Sequence, residues 1–412
     1  MLRLIHTADW HLGHTLHGVS RAYEHQCFLD WLLDTLHSNA VDALLLTGDI
    51  FDSTNPPASA QAMFYDFLAQ ARRRCPELDI VIVAGNHDSP ARLAAPSPLL
   101  TSMNIHITGL LPRTLTGDIE ADKVITPLTN AQGEVAAWCV ASPFLRPADL
   151  IAPEDETDDP LIAGVRQVYA ELLNAGRARL TEGQALVVTG HCYMTGGELS
   201  ELSERKILGG NQHALPVDIF SDDITYVALG HLHLAQAIGK RDNVRYSGAP
   251  LALSISENNY PHQVMQLDIE DNQVERFEAL RTPCVVKILR LPEGDPQPLD
   301  DVLEALADLA LDDVPPEQQP LLEVRVALES PVAGLRSQIE AVLEDKPIRL
   351  LKITPHYTGS GESLADAKPR QLLQSLDPED VFVRRYQRDH QDSPDAELLS
   401  AFHELLEGLD AD

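Results

Sequence analysis

The sequence predicts an α/β protein of more than one domain, and three observations carry that reading. Strand and helix patterns alternate through the first ninety residues, short histidine- and aspartate-bearing segments follow directly after the strands, and beyond residue 280 a separate strand-helix succession begins. A length of 412 residues exceeds one ordinary domain and suits two or three.

Residues 2–6 read as a strand, 22–36 carry apolar residues at helical spacing, and 42–47 form a buried strand. A second helix is predicted over 58–74 and a third strand over 79–84. Later strands are expected at 135–141, 185–189, 225–229 and 243–246, with a helix over roughly 161–180. Short strands at 263–269 and 274–280 flank the turn Glu270-Asp271-Asn272 and complete the motif-bearing sheet. A small domain follows, with strands at 285–291, 321–328 and 348–353 and helices at 299–310 and 332–343. Proline-rich joints at 292–298 and 315–316 punctuate it. Gly359-Ser360-Gly361 then reads as a spacer before amphipathic helical stretches at 369–376 and 395–409, which flank Arg384-Arg385-Tyr386-Gln387-Arg388. The expected domains are therefore 1–280, 281–356 and 357–412.

Composition bounds the function. An apolar fraction of 44% supports real cores, and no run long enough to cross a membrane occurs. The N-terminus lacks the basic, apolar and small-residue succession of a secretory leader, so a cytoplasmic protein is expected. Five scattered cysteines without a CxxC pair fit reduced, mostly buried thiols. Asp and Glu number 63 against 31 Lys and Arg, a net charge of −32. That balance argues against a protein that grips DNA alone through a basic face. Affinity for a polyanion must come from metals, local patches or a partner.

Five segments carry the chemistry: Asp9-Trp10-His11, Gly48-Asp49-Ile50-Phe51-Asp52, Gly85-Asn86-His87-Asp88, Gly190-His191 and Gly230-His231-Leu232-His233. Each follows a predicted strand, the edge where open α/β sheets place ligands. Two divalent cations held about 3.5–4 Å apart activate water and neutralise charge on a phosphoryl group. Holding both takes a shared carboxylate and two sets of nitrogen and oxygen donors. Mixed His, Asp and Asn donors suit Mn²⁺, Fe²⁺ or Zn²⁺. Asp9 and His11 project into one cleft, Asp49 is the natural bridge, and Asn86 offers a neutral oxygen. His191, His231 and His233 arrive from the other half of the sheet. Taken singly, each segment is an ordinary turn; five in this order are not an accident.

These segments resemble the signature of the calcineurin-like metallophosphoesterases: D-x-H, G-D-x-x-D, G-N-H-[DE], G-H and G-H-x-H. The runs His6 to Gly13, Gly48 to Asp52 and Tyr246 to Ser254 are similar to the SbcD family of bacterial nuclease subunits, a likeness that spans roughly residues 1–280. The resemblance implies a four-layer α-β-β-α metallophosphoesterase sandwich, a small α+β capping domain and a C-terminal helical partner-docking segment. It also implies a DNA nuclease acting on duplex ends, single strands and hairpins with two divalent ions, Mn²⁺ expected. The implied partners are DNA and an SbcC-like coiled-coil ABC-type ATPase, with a homodimer inside a heterotetramer and no membrane. No G-x-x-x-x-G-K-[ST] loop occurs, so ATP dependence would come from that ATPase.

Carried over to matching positions, Asp9, His11, Asp49 and His233 would hold one metal, and Asp49, Asn86, His191 and His231 the other. His87 would be the non-ligand histidine that stabilises the transition state or protonates the leaving oxygen, oriented by the Asp52 carboxylate. His14 and His17 read as solvent-facing loop histidines and Trp10 as packing beneath the site; Arg205-Lys206 offers either a DNA-backbone contact or plain surface charge. The competing readings are a phosphatase or small-molecule phosphodiesterase and a non-catalytic scaffold. Ser53-Thr54 and Asp88 depart from the Arg-Gly and Glu of the serine/threonine phosphatases, and a scaffold would lack ligands.

Overall fold

Strands Ala43–Thr47 and Asp79–Val83 are nearly unbroken apolar runs because both of their faces are covered. The protein, seen here in a computed structural model, is described over residues 1–150, 159–198 and 214–358 and at Leu398. The expected spacer and C-terminal helices, Arg205-Lys206 and most of the acidic loop lie outside the described residues. Two compact units are present: Met1–Val326 with Gly334–Thr354, and Ala327–Ala333 with Pro355–Asp412. Within the second, the Thr358 amide donates to the Leu328 carbonyl at 2.9 Å.

In the first unit, β1 (Leu2–Thr7), α1 (Ala22–Ser38), β2 (Ala43–Thr47), α2 (Ala58–Arg74), β3 (Asp79–Val83) and β4 (Ile105–Thr108) come first. Then follow β5 (Ile125–Thr129), β6 (Val135–Val140), α3 (Pro160–Arg177), β7 (Ala185–His191), β8 (Tyr226–Gly230), β9 (Gln236–Ile238), β10 (Arg241–Tyr246), β11 (Gln263–Glu270) and β12 (Gln273–Arg281). One sheet has the order β12-β11-β1-β2-β3-β4, and the other β9-β10-β8-β7-β6-β5. β1 to β4 run parallel, as do β6, β7, β8 and β10.

Alternation along each strand builds the layers. Leu44, Leu46, Ile80 and Ile82 pack with Leu32 and Phe64 of the α1–α2 layer. Their neighbours Ala43, Leu45, Val81 and Val83 face Val187, Tyr226 and Ala228 of the second sheet. Leu186, Val188, Val227 and Leu229 pack with Val168 and Leu172 of α3. The result is a four-layer α-β-β-α sandwich. The motif-bearing strands are thus split between two sheets rather than forming one. β11 and β12 return to the first sheet, where β11 pairs antiparallel with β1, Leu2 opposite Ile269.

A third sheet contains β13 (Ile288–Leu291), β14 (Gln297–Pro298), β15 (Leu321–Leu328) and β16 (Arg349–Tyr357), with helices α4 (Leu299–Ala307) and α5 (Leu335–Leu343). β13 and β15 are parallel. α5 starts later than its apolar spacing suggested because Gly334 sits at φ 71°, outside helical space. All five cysteines are free, but only Cys139 is fully buried and Cys284 is exposed. Among the described residues no helix is long and apolar enough to cross a membrane.

Polar groups also bridge the two central sheets. His6 lies within 2.9 Å of the Tyr226 hydroxyl and 3.0 Å of the Thr47 hydroxyl, fully buried. Burial pushes His6 down to about 3, and burial with the Arg21 charge does the same to His25. Below the ordinary value of 6.5 the unfolded chain takes up protons that the folded chain refuses, so stability falls as pH drops through that window. From pH 7 to 5.5 these two histidines should remove about 2–3 kcal/mol of folding stability together. Denaturant melts check this, and an unchanged midpoint at pH 5.5 would contradict it.

Candidate metal centre

The five segments occupy the carboxyl ends of β1, β2, β3, β7 and β8, so both sheets deliver side chains to one cleft. The first two loops are zipped together: the amides of Asp9, His11 and Leu12 donate to the carbonyls of Gly48, Asp49 and Ile50 at 2.9–3.0 Å. Asp9, His11 and Asp49 adopt left-handed φ of 55°, 47° and 50°. Side chains rarely accept that conformation, and it turns each one back into the cleft. Asp88, fully buried, closes the third loop onto the second, since its carboxylate accepts from the amides of Gly85, Ile50 and Phe51 at 2.9–3.2 Å.

Glycine is required where these loops touch. A Cβ on Gly85 would lie 2.1 Å from Asp49 Oδ1, and one on Gly48, at φ 95°, 2.1 Å from His191 Nδ1. Gly85→Ala should therefore displace Asp49 and lower divalent-ion affinity by at least about tenfold, a loss of roughly 1.4 kcal/mol. Metal titration checks this, and unaltered affinity would mean that the cleft tolerates the methyl group.

Two groups of donors converge. In each of Asp9–His11–His233 and Asp49–His191–His231, one ligand atom per residue lies within 4.8 Å of the others. Asp49 Oδ2 lies 3.6 Å from His11 Nε2 and 3.4 Å from His191 Nε2, between the groups. Asn86 Oδ1 faces His191 Nε2 at 2.9 Å and His231 Nδ1 at 3.0 Å. All seven expected ligands are thus brought together. His11 Nε2 is buried without a hydrogen-bond partner. A nitrogen left so, beside two carboxylates, fits a cation.

The electrostatics ask for positive charge. Burial opposes a proton on His191, yet the Asp49 and Asp9 carboxylates raise it to about 9. Burial also raises Asp9, whereas the His191 and His11 imidazoles hold Asp49 well below the usual carboxylate range against its own burial. The outer ring nitrogens are anchored. His191 Nδ1 donates to the Thr47 carbonyl at 2.8 Å, which keeps Nε2 for the cleft. His11 Nδ1 faces the Asp52 carboxylate at 3.2 Å, and His233 Nδ1 faces that of Glu257 at 3.0 Å.

His87 stands beside the ligands, its ring 4.8 Å from that of His11. Its Nδ1 donates to the backbone carbonyl of Asp52 at 3.0 Å, so the expected Asp52–His87 carboxylate pair is corrected. The Asp52 side chain turns to His11 and His14 instead, whose hydrogen bonds outweigh burial and hold the carboxylate far below its ordinary range. A carbonyl fixes the tautomer and orientation of His87 without adding charge. His14 is likewise not solvent-facing: it bridges Asp52 and the Leu253 carbonyl, each at 3.0 Å. His17 is exposed as expected. Trp10 is fully buried, edge-on to Phe28 and Phe67. Glu257 was missed, having no motif around it; the only signal was an acid closing the small and apolar run that begins at Tyr246.

Residues 2–235 match the calcineurin-like phosphoesterase family. The chain belongs to that family. Residues 284–390 match a second family, the Type 5 capsule protein repressor C-terminal domain. Over 390 residues the chain is 39% identical to the SbcD subunit of nuclease SbcCD from Rhodobacter capsulatus, with 93% of this chain and 94% of the relative covered. Its counterpart in Escherichia coli K12 is 30% identical, with 97% and 96% covered, and that of Bacillus subtilis 34%, with 68% and 69% covered. As an SbcD-type member of the calcineurin-like phosphoesterases, the chain is a metal-dependent phosphodiesterase. Its buried histidine and carboxylate donors, with one imidazole nitrogen orphaned between them, fit the divalent ions that such a family uses.

Proposed function

We propose that the chain is the Mn²⁺-dependent nuclease subunit of an SbcCD-like complex that cleaves DNA phosphodiesters. Its activities would be a 3′-to-5′ exonuclease on duplex ends and an endonuclease on single strands and hairpins. The observation that carries this reading is the convergence of two donor groups about Asp49, with His87 beside them rather than among them. Asp9, His11, Asp49 and His233 would hold one ion, and Asp49, Asn86, His191 and His231 the other. Divalent ions bound there supply an activated water and neutralise charge on the phosphoryl group.

The chain's own groups do the rest. Asp49 Oδ1 accepts from the His87 amide at 2.8 Å, tying the catalytic histidine to the bridging carboxylate. With Nδ1 spent on the Asp52 carbonyl, His87 keeps Nε2 for the substrate, to stabilise the developing charge or protonate the leaving oxygen. Asp52 positions His11 through its carboxylate and His87 through its carbonyl.

Residues 1–280 would form the nuclease domain, 281–356 a capping and DNA-recognition domain, and 357–412 a docking segment for a coiled-coil ATPase of the SbcC type. The net charge of −32 supports a division of labour in which that partner helps to hold the DNA. A homodimer within a heterotetramer, in the cytoplasm, completes the reading. Copurification with a coiled-coil ATPase, followed by digestion of blunt and hairpin duplexes with Mn²⁺, tests it. Cleavage of both duplexes is expected. Preference for a small diester, with the hairpin intact although the partner is present, would overturn it.

A further inference from the structure

The run from Tyr246 to Ser254 follows the last ligand histidine and supplies no ligand itself. Its end explains its place. The Leu253 amide donates to Glu257 Oε2 at 2.8 Å, while its carbonyl accepts from His14 Nε2 at 3.0 Å. Glu257 Oε1 meets His233 Nδ1 at 3.0 Å, and Asp52 Oδ1 meets both His14 Nδ1 at 3.0 Å and His11 Nδ1 at 3.2 Å. A continuous arc of hydrogen bonds therefore runs from His233 through Glu257, Leu253, His14 and Asp52 to His11. Behind it, buried Arg21 donates to the Ala252 carbonyl at 2.6 Å and is itself held by Glu24.

Among the described residues no carboxylate backs an outer imidazole nitrogen of the other donor group. His191 leans on the neutral Thr47 carbonyl, and Asn86 brings an oxygen without charge. An imidazole whose outer nitrogen faces a carboxylate is fixed in orientation and is a stronger donor to a metal than one facing a carbonyl. Asp52 and Glu257 each face an outer ring nitrogen of the first group, whereas Asp9 also accepts from the His231 amide and Asp49 stands between the two groups.

We infer that the segment 253–257, through Glu257 and together with Asp52, makes the Asp9–His11–His233 group the tighter of two unequal divalent-cation sites. Glu257 is a positioning residue that acts through His233. The inference rests on the two-ion reading of the cleft.

Calorimetric titration of Mn²⁺ into the metal-free full-length chain, paralleled by the resonance signal of free Mn²⁺, tests it. Two binding events separated by at least about tenfold are expected. Glu257→Gln should weaken only the tighter event, by about 10–100-fold. Asp52→Asn, at a side chain 37% exposed, should act on the same event, and it answers the question even if the buried Gln variant fails to fold. In the double variant the two losses should not add, because each breaks one arc. Asn86→Ala should remove only the weaker event. Two equal events overturn the inference but leave two ions in the cleft, and so does a loss that falls on the weaker event or on both alike. Absence of any bound ion overturns the two-ion reading as well.

Discussion

Asp49→Asn should empty the cleft of at least one ion and lower phosphodiesterase turnover by at least about 10³-fold. Asparagine is the informative substitution because position 49 sits at φ 50°, a conformation that Asn tolerates and Ala resists by about 1–2 kcal/mol. The fold and the acceptor for the His87 amide survive; the negative charge between His11 and His191 does not. Losing it withdraws the carboxylate that stands within 3.6 Å of a histidine of each donor group. Elemental analysis and single-turnover kinetics check this. A variant that retained two ions and worked within tenfold of the wild type would show that Asp49 is not the bridge.

His87→Ala should give the opposite pattern, with ion content unchanged and turnover lower by about 10²–10⁴-fold. The ring lies against His11 but belongs to neither donor group, and its Nδ1 is anchored on a carbonyl. KM for the phosphodiester should move much less than kcat, since the group acts as charge develops. Loss of metal alongside activity would place His87 among the ligands.

Much of the site was legible because its chemistry is local. An Asp-x-His or Gly-Asn-His-Asp placed after an apolar strand commits its side chains to one edge of a sheet, whatever that sheet pairs with. The residue pattern by itself was silent on what is non-local, and the two-sheet sandwich came from the family resemblance instead. Two sheets buried on both faces write the same apolar runs, so nothing in the chain says that Leu186 and Leu44 belong to different layers. β4, β5 and β9 were missed because they are short and interleaved with polar or turn residues. The Asp52 pairing was misread for a related reason. Spacing brings the residue to the site but does not decide whether its carboxylate or its carbonyl meets a given imidazole. Glu257 lies 24 residues beyond its histidine, and only the folded loop reveals the pair.

Because each donor group draws on both sheets, neither half of the sandwich holds a complete set. The first sheet brings Asp9, His11, Asp49 and Asn86, and the second brings His191, His231 and His233. During synthesis the cleft cannot assemble until the chain has been made past His233, and the support behind His233 must wait for Glu257. An N-terminal fragment that ends before β7, whether from a stalled ribosome or a protease, carries the most conspicuous motifs but lacks His191, His231 and His233. For an enzyme that breaks phosphodiester bonds, that order of assembly is a safeguard: hydrolytic competence arrives late, and only in a chain long enough to have closed its own sandwich.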